Sequence, residues 1–235
     1  LRMEETALSS AQNMLQRIRE LAIQSSNGGL SGTDRTIIAK EVSSLRDALL
    51  SLANTEDESG NFIFSGTSVK TPAFSKDANG VIAYEGDQNQ TSVDISEYRQ
   101  VSINRPGDAV FSSVSRINDA GDQEMISFFT VINDFTDALE SGGEVELSRG
   151  LSEVSILTDD MALSLADIGS RMNTVDSQRD ILADAKLRYQ DLLSSAEDLD
   201  YATAVTKLSA QILSLEAAQA SFAKISQLNL FNYLR

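Results

Sequence analysis

The chain of 235 residues contains no cysteine, no histidine and no tryptophan. Without thiolate or imidazole there is no zinc site of the usual ligands, no disulfide, no cysteine nucleophile and no Ser-His-Asp triad. Basic residues are scarce: 19 Lys and Arg stand against 35 Asp and Glu, a formal charge of −16. Neutralising a phosphate backbone needs the opposite balance, so nucleic acid is not expected as a partner. The same charge opposes docking on an anionic membrane surface, and no apolar run approaches the roughly 20 residues of a membrane-spanning helix. Aromatic residues make up only 6% and there are two prolines. What remains is rich in Ala, Leu and Ser, the composition of a helical interaction protein more than of an enzyme, and no cofactor is expected.

Glycine and proline are placed unevenly, and they break helices. Neither occurs before Gly28, between residues 33 and 59, or after Gly169. Leu8, Ala11, Leu15, Ile18 and Ala22 recur at spacings of 3 and 4, which predicts a helix over 2–26 ended by Asn27-Gly28-Gly29. Thr33 is the expected cap of a second helix, with Asp34 in its first turn and Ile38, Val42, Leu45, Leu49 and Leu52 on its apolar face. A short link between two such helices implies an antiparallel hairpin.

Residues 60–107 hold both prolines and read as a small antiparallel β module, with strands at 61–64, 81–84, 91–95 and 100–104. The module is expected to project sideways from the helices and to be removable without unfolding them. Helical spacing resumes over 122–140 through Ile126, Phe129, Ile132, Phe135 and Leu139. From Leu151 to Ala196 a 3, 4 alternation continues through fourteen positions, of which only Thr158, Arg179 and Lys186 are neither apolar nor aromatic. A helix from about 144 to 196 is roughly 80 Å long. Helices 1 and 2 are its expected partners. Arg179 and Lys186 are read as side chains lying along the edge of the seam, or alternatively as polar residues that set its register.

A last segment, 198–230, carries its own stripe of Val205, Leu208, Ile212, Leu215, Phe222 and Ile225, and the terminus adds Leu228 and Leu230. These eight residues are the candidate subunit interface, because the stripe has no evident partner left in the chain. The fold class expected is therefore mainly α: an elongated antiparallel helical bundle or coiled-coil rod with a small inserted antiparallel β module. Its parts are a helical hairpin (1–59), the β module (60–107), returning helices (108–196) and an assembly helix (197–235).

Several local patterns fail as chemistry. Ser75–Gly86 lacks the bidentate glutamate that a calcium loop needs at its twelfth position. Gly28-Gly29-Leu30-Ser31-Gly32 has no Lys-Ser/Thr pair and no preceding strand, so it is no phosphate cradle. Glu197-Asp198-Leu199-Asp200 reads as a solvated boundary between helices, and Asn89-Gln90-Thr91 is a short sequon match.

Arg19-Glu20-Leu21-Ala22-Ile23-Gln24-Ser25-Ser26-Asn27-Gly28, then Asp34-Arg35 and Ile37-Ile38-Ala39-Lys40-Glu41, resemble the N-terminal rod region of bacterial flagellins. Within that superfamily several patterns are similar to those of the hook–filament junction proteins. They are Ala53-Asn54-Thr55, Gly60 through Gly66, Pro72-Ala73-Phe74, Tyr84-Glu85-Gly86-Asp87, Pro106-Gly107 with Val110-Phe111, and the ending Leu228 through Leu234. The resemblance implies a structural protein of the flagellum, exported by the flagellar type III apparatus and placed outside the cell. Its implied partners are further copies of itself in a ring, hook-associated protein 1, flagellin and an export chaperone. It also implies a further N-terminal segment, about a helix long, ahead of Leu1. The alternative is a flagellin, the filament subunit itself; a third reading is a carbohydrate- or ligand-binding module with Phe74 and Tyr84 as its platform.

Overall fold

The structure, a computed structural model, describes residues 1–26, 30–118 and 121–227, with the backbone only at 197–200 and 227. The chain divides into two compact units, Leu1–Gln178 and Arg179–Arg235.

In the first unit, α1 (Arg2–Ser26) and α2 (Gly32–Ala53) pack against each other, and α4 (Phe128–Ser141) packs on α2. The expected stripe of α1 is the buried one: Leu8, Ala11, Leu15, Ile18 and Ala22 have no exposure. In α2, Ile38, Val42 and Leu49 are buried, while Leu45 and Leu52 are half-buried against the same core. The cap of α2 is Ser31 rather than Thr33. Ser31 Oγ accepts from Asp34 N, and the Asp34 carboxylate accepts from Ser31 N at 3.1 Å, so the two ends satisfy each other.

Among the described residues six strands form three separate antiparallel pairs: β1 (Phe74–Lys76) with β2 (Ile82–Tyr84), β3 (Ser92–Ser96) with β4 (Arg99–Ser102), and β5 (Val114–Ile117) with β6 (Gln123–Ile126). A one-turn helix, α3 (Gly107–Val110), stands between β4 and β5. The expected strand at 61–64 is reduced to a single bridge, Glu56 to Phe62. The helix expected from residue 122 starts only at Phe128. Gly121, with φ +88°, turns the chain, and 123–126 pair with 114–117 instead. Ile126 fits both readings because it is buried in either. Ser127 caps α4 through Thr130 N, and left-handed Gly142 ends it.

The last helix, α5 (Glu144–Gln227), is unbroken. The boundary expected near 197–200 is absent: no Gly or Pro interrupts the backbone there, and acidic residues alone do not break a helix. In the first unit α5 buries Leu147, Val154, Leu157, Met161 and Ile168 in the common core.

The β region does not simply project. Phe64, Phe74 and Ile82 belong to one hydrophobic core with α1, α2, α4 and α5. Val101 of the β3–β4 hairpin is buried outside that core, and every residue of β3 is exposed or half-buried.

Candidate functional site

The sequence patterns that are separate along the chain meet in space. Asn54, at the C-cap of α2, clamps β1 with both ends of its amide: Nδ2 donates to Phe74 O at 2.7 Å and Oδ1 accepts from Phe74 N at 2.9 Å. Phe64 O accepts from Gly107 N at 2.7 Å and from the Tyr84 hydroxyl at 3.2 Å. The single proton of that hydroxyl is shared with Asp87 O, the nearer acceptor at 2.7 Å. Asp87 N donates to Ser65 O at 3.2 Å. Its carboxylate accepts from Thr67 N, Thr67 Oγ1, Ser68 Oγ and Asn89 N at 2.6–2.9 Å. Those donors hold the Asp87 carboxyl far below the usual carboxylate range. Its contribution to this joint is complete above the ordinary aspartate value and is lost only when strong acid protonates it.

Under this polar layer lies an aromatic one. Phe74 meets Phe129 edge-on at 5.2 Å between centroids, Phe111 meets Phe128 at 5.2 Å, and Phe64 meets Phe111 at 5.6 Å. Such pairs add about 0.5–1.5 kcal/mol each beyond the area they bury. Phe74 is buried and Tyr84 is half-buried with its hydroxyl engaged, so the two offer no exposed platform for a sugar. Excising residues 61–106 and closing the gap with a short Gly/Ser linker removes Phe64 and Phe74, and with them the ring contacts that Phe111 makes to both and that Phe129 makes to Phe74. The expected result, followed by circular dichroism, is loss of cooperative helical melting. An unchanged transition would mean that the helices stand without the insert.

The second unit has a different character. Every described side chain from 179 to 226 is exposed except half-buried Ala185. Among the candidate interface residues, Val205, Leu208, Ile212, Leu215, Phe222 and Ile225 lie on the surface of α5 with 45–74% exposure. Leu228 and Leu230 lie outside the described residues. Arg179 and Lys186 are both exposed. Leu182, Tyr189 and Leu193, which the sequence reading assigned to a seam with helices 1 and 2, are exposed as well. Length arithmetic would have found them. Helices of 25 and 22 residues cannot cover a partner stripe of more than 45 residues, because each residue adds about 1.5 Å in both. At 100° per residue, Leu208, Leu215 and Phe222 face a direction turned by roughly 60° from Leu182, Tyr189 and Leu193.

No helix of the described residues is long and apolar enough to cross a membrane, and no described group of His, Cys, Asp and Glu is arranged to hold a metal ion.

Residues 1–69 match the family described as the bacterial flagellin N-terminal helical region. The chain is 26% identical to flagellar hook-associated protein 3 of Escherichia coli over 97% of its own length and 75% of that protein's. It is 24% identical to the Salmonella typhimurium protein of the same name, over 99% of this chain and 77% of that one. Flagellin B of Vibrio cholerae is 44% identical, but over 63 residues, 27% of this chain and 17% of that protein. Among solved structures, Xanthomonas campestris FlgL superposes with a TM-score of 0.71 at 21% identity, over 82% of this chain and 92% of that one. The hook-associated protein 3 of Legionella pneumophila gives 0.71 at 19% identity, over 84% and 92%. These structures share the fold: a helical bundle with small antiparallel sheets.

Proposed function

We propose, from a likeness to flagellar hook-associated protein 3 that runs from end to end of the chain, that this protein is a structural subunit of the bacterial flagellum joining the hook to the filament. The observation that carries this is the extent of the match. Similarity to that protein covers 97% of the chain, while the flagellin match stops after 63 residues. A filament subunit is the weaker reading for that reason. The location is the flagellum; export through the flagellar type III apparatus and an extracellular position are inferred with it. The inferred partners are further copies of the chain in a ring, hook-associated protein 1 on the hook side, flagellin on the filament side, and an export chaperone before assembly. No catalysis is assigned to it. Immunogold labelling of intact flagella tests the role: a band at the hook–filament junction is expected, and label along the filament would favour flagellin.

The division of charge supports assembly through the second unit. Residues 1–178 carry 13 Lys and Arg against 28 Asp and Glu, while residues 179–235 carry 6 against 7. Close packing of many copies is opposed by like charge, and the nearly neutral unit is the one that leaves its large apolar side chains in water. Burying a Leu or Phe side chain is worth roughly 1.5–3 kcal/mol. Leu208→Asp with Leu215→Asp is therefore expected to block assembly while leaving the first unit folded. Cells carrying the double variant should be non-motile and shed unassembled flagellin, with the variant itself folded and exported. Normal filaments on those cells would exclude this face as the subunit contact.

A further inference from the structure

Glu4, in the first turn of α1, is 4% exposed, and its Oε1 has no hydrogen-bond partner. Three charged side chains face it: Arg105 from the segment entering α3, and Asp167 and Arg171 from α5. The hydrogen bonds of the two arginines are directed elsewhere. Arg171 Nη2 contacts Asp167 at 2.7 Å and Arg105 Nη1 contacts it at 3.4 Å. Arg105 also donates to Ser164 O, Ser164 Oγ and Ala109 O. Arg171 Nη1 is buried without a partner of its own. Asp167 thus collects both cations, and Glu4 receives their field without their hydrogen bonds.

A carboxylate in this position is costly when ionised and cheap when protonated, because burial penalises only the charged form. We propose that Glu4 is a latch on the first turn of α1, seated against α5 when uncharged and loosened when ionised. The direction of its titration agrees: burial pushes the Glu4 carboxyl above the ordinary value, and the pull of Arg105 and of Arg171 does not cancel it. Its penalty is absent below the ordinary glutamate value of 4.5, accrues as pH rises from there, and becomes constant above the raised value. The sign is opposite to that of Asp87. Mild acid tightens the start of α1 and does not yet protonate the joint around Phe64.

Amide hydrogen exchange on the intact chain tests the latch. Protection factors for residues 5–12 are compared at pH 4.5 and pH 7. The wild type is expected to lose about three- to tenfold of its protection across the window. Glu4→Gln, which keeps the shape and removes the charge, is expected to hold its protection at both pH values. Asp167→Asn releases both arginines towards Glu4 and is expected to flatten the wild-type dependence. The proposal is overturned if Glu4→Gln shows the wild-type loss or is less protected than the wild type at pH 7. It is equally overturned if Asp167→Asn leaves the dependence intact.

Discussion

Replacing Arg116 by alanine is expected to cost about 3–5 kcal/mol, the range for removing one partner of a buried ion pair. Arg116 stands on the inner face of β5 and reaches both returning helices. Nε and Nη2 form a bidentate pair with Glu153 of α5 at 2.7 Å, and Nη1 contacts Asp134 of α4 at 2.6 Å. The Glu153 side chain is only 7% exposed, so truncation of the arginine leaves a buried carboxylate without a counter-charge. Urea unfolding monitored by circular dichroism measures the loss. Glu153→Leu in the Arg116→Ala background removes the stranded charge and is expected to recover most of the stability. Little loss on Arg116→Ala alone would mean that water reaches Glu153, and that the network orders the β5–β6 hairpin without supporting the core.

Gly66→Ala is expected to destabilise by about 3 kcal/mol or more. Two causes add. Gly66 has φ +69°, in the left-handed region where a Cβ costs about 1–2 kcal/mol. A Cβ would also collide with the carbonyl oxygen of Asp87, which is backbone and cannot swing away. Relieving the clash separates residues 65–68 from Asp87 and loosens the joint, so overpacking adds about 1–3 kcal/mol. Gly169→Ala is the contrasting substitution. Nothing lies within 4 Å of its missing side chain and it sits inside α5, so a gain of up to about 1 kcal/mol is expected from helix propensity. Thermal melts of the two variants beside the wild type read both signs. A neutral Gly66→Ala would show that the joint deforms freely.

Much of the helical body was legible in the sequence. The end of α1 after Ser26, the buried faces of α1 and α2 and the end of α4 at Gly142 follow from local rules: 3.6-residue periodicity, Gly breaks and left-handed caps. The strand–helix error at 122–127 has a specific cause. Ile126 and Phe129 are three apart and fit a helical stripe, but Ile126 is buried as the inward residue of a strand. The Ser127 cap and the turn at Gly121 were the available signals. The short patterns that carry the resemblance were found without their meaning. Nothing in the spacing of Asn54, Phe64, Tyr84, Asp87 and Gly107 says that they bond to one another, because their contacts span 20 residues or more in most cases.

By itself the sequence determined that the protein is mainly helical, strongly acidic, without thiol or imidazole chemistry, and supplied with more apolar helix surface than two short helices can cover. Periodicity reports which face of a helix is apolar, since that is a property of one turn and the next. It does not report what covers the face. The tertiary structure decided that the β region shares its aromatic core with the helices, and that Arg116 ties a hairpin to two helices at once. It also decided that Glu4 is buried while Leu182, Tyr189, Leu208 and Leu215 are not. Burial and charge pairing depend on which distant segments arrive at one place, and that is settled by the packed chain as a whole.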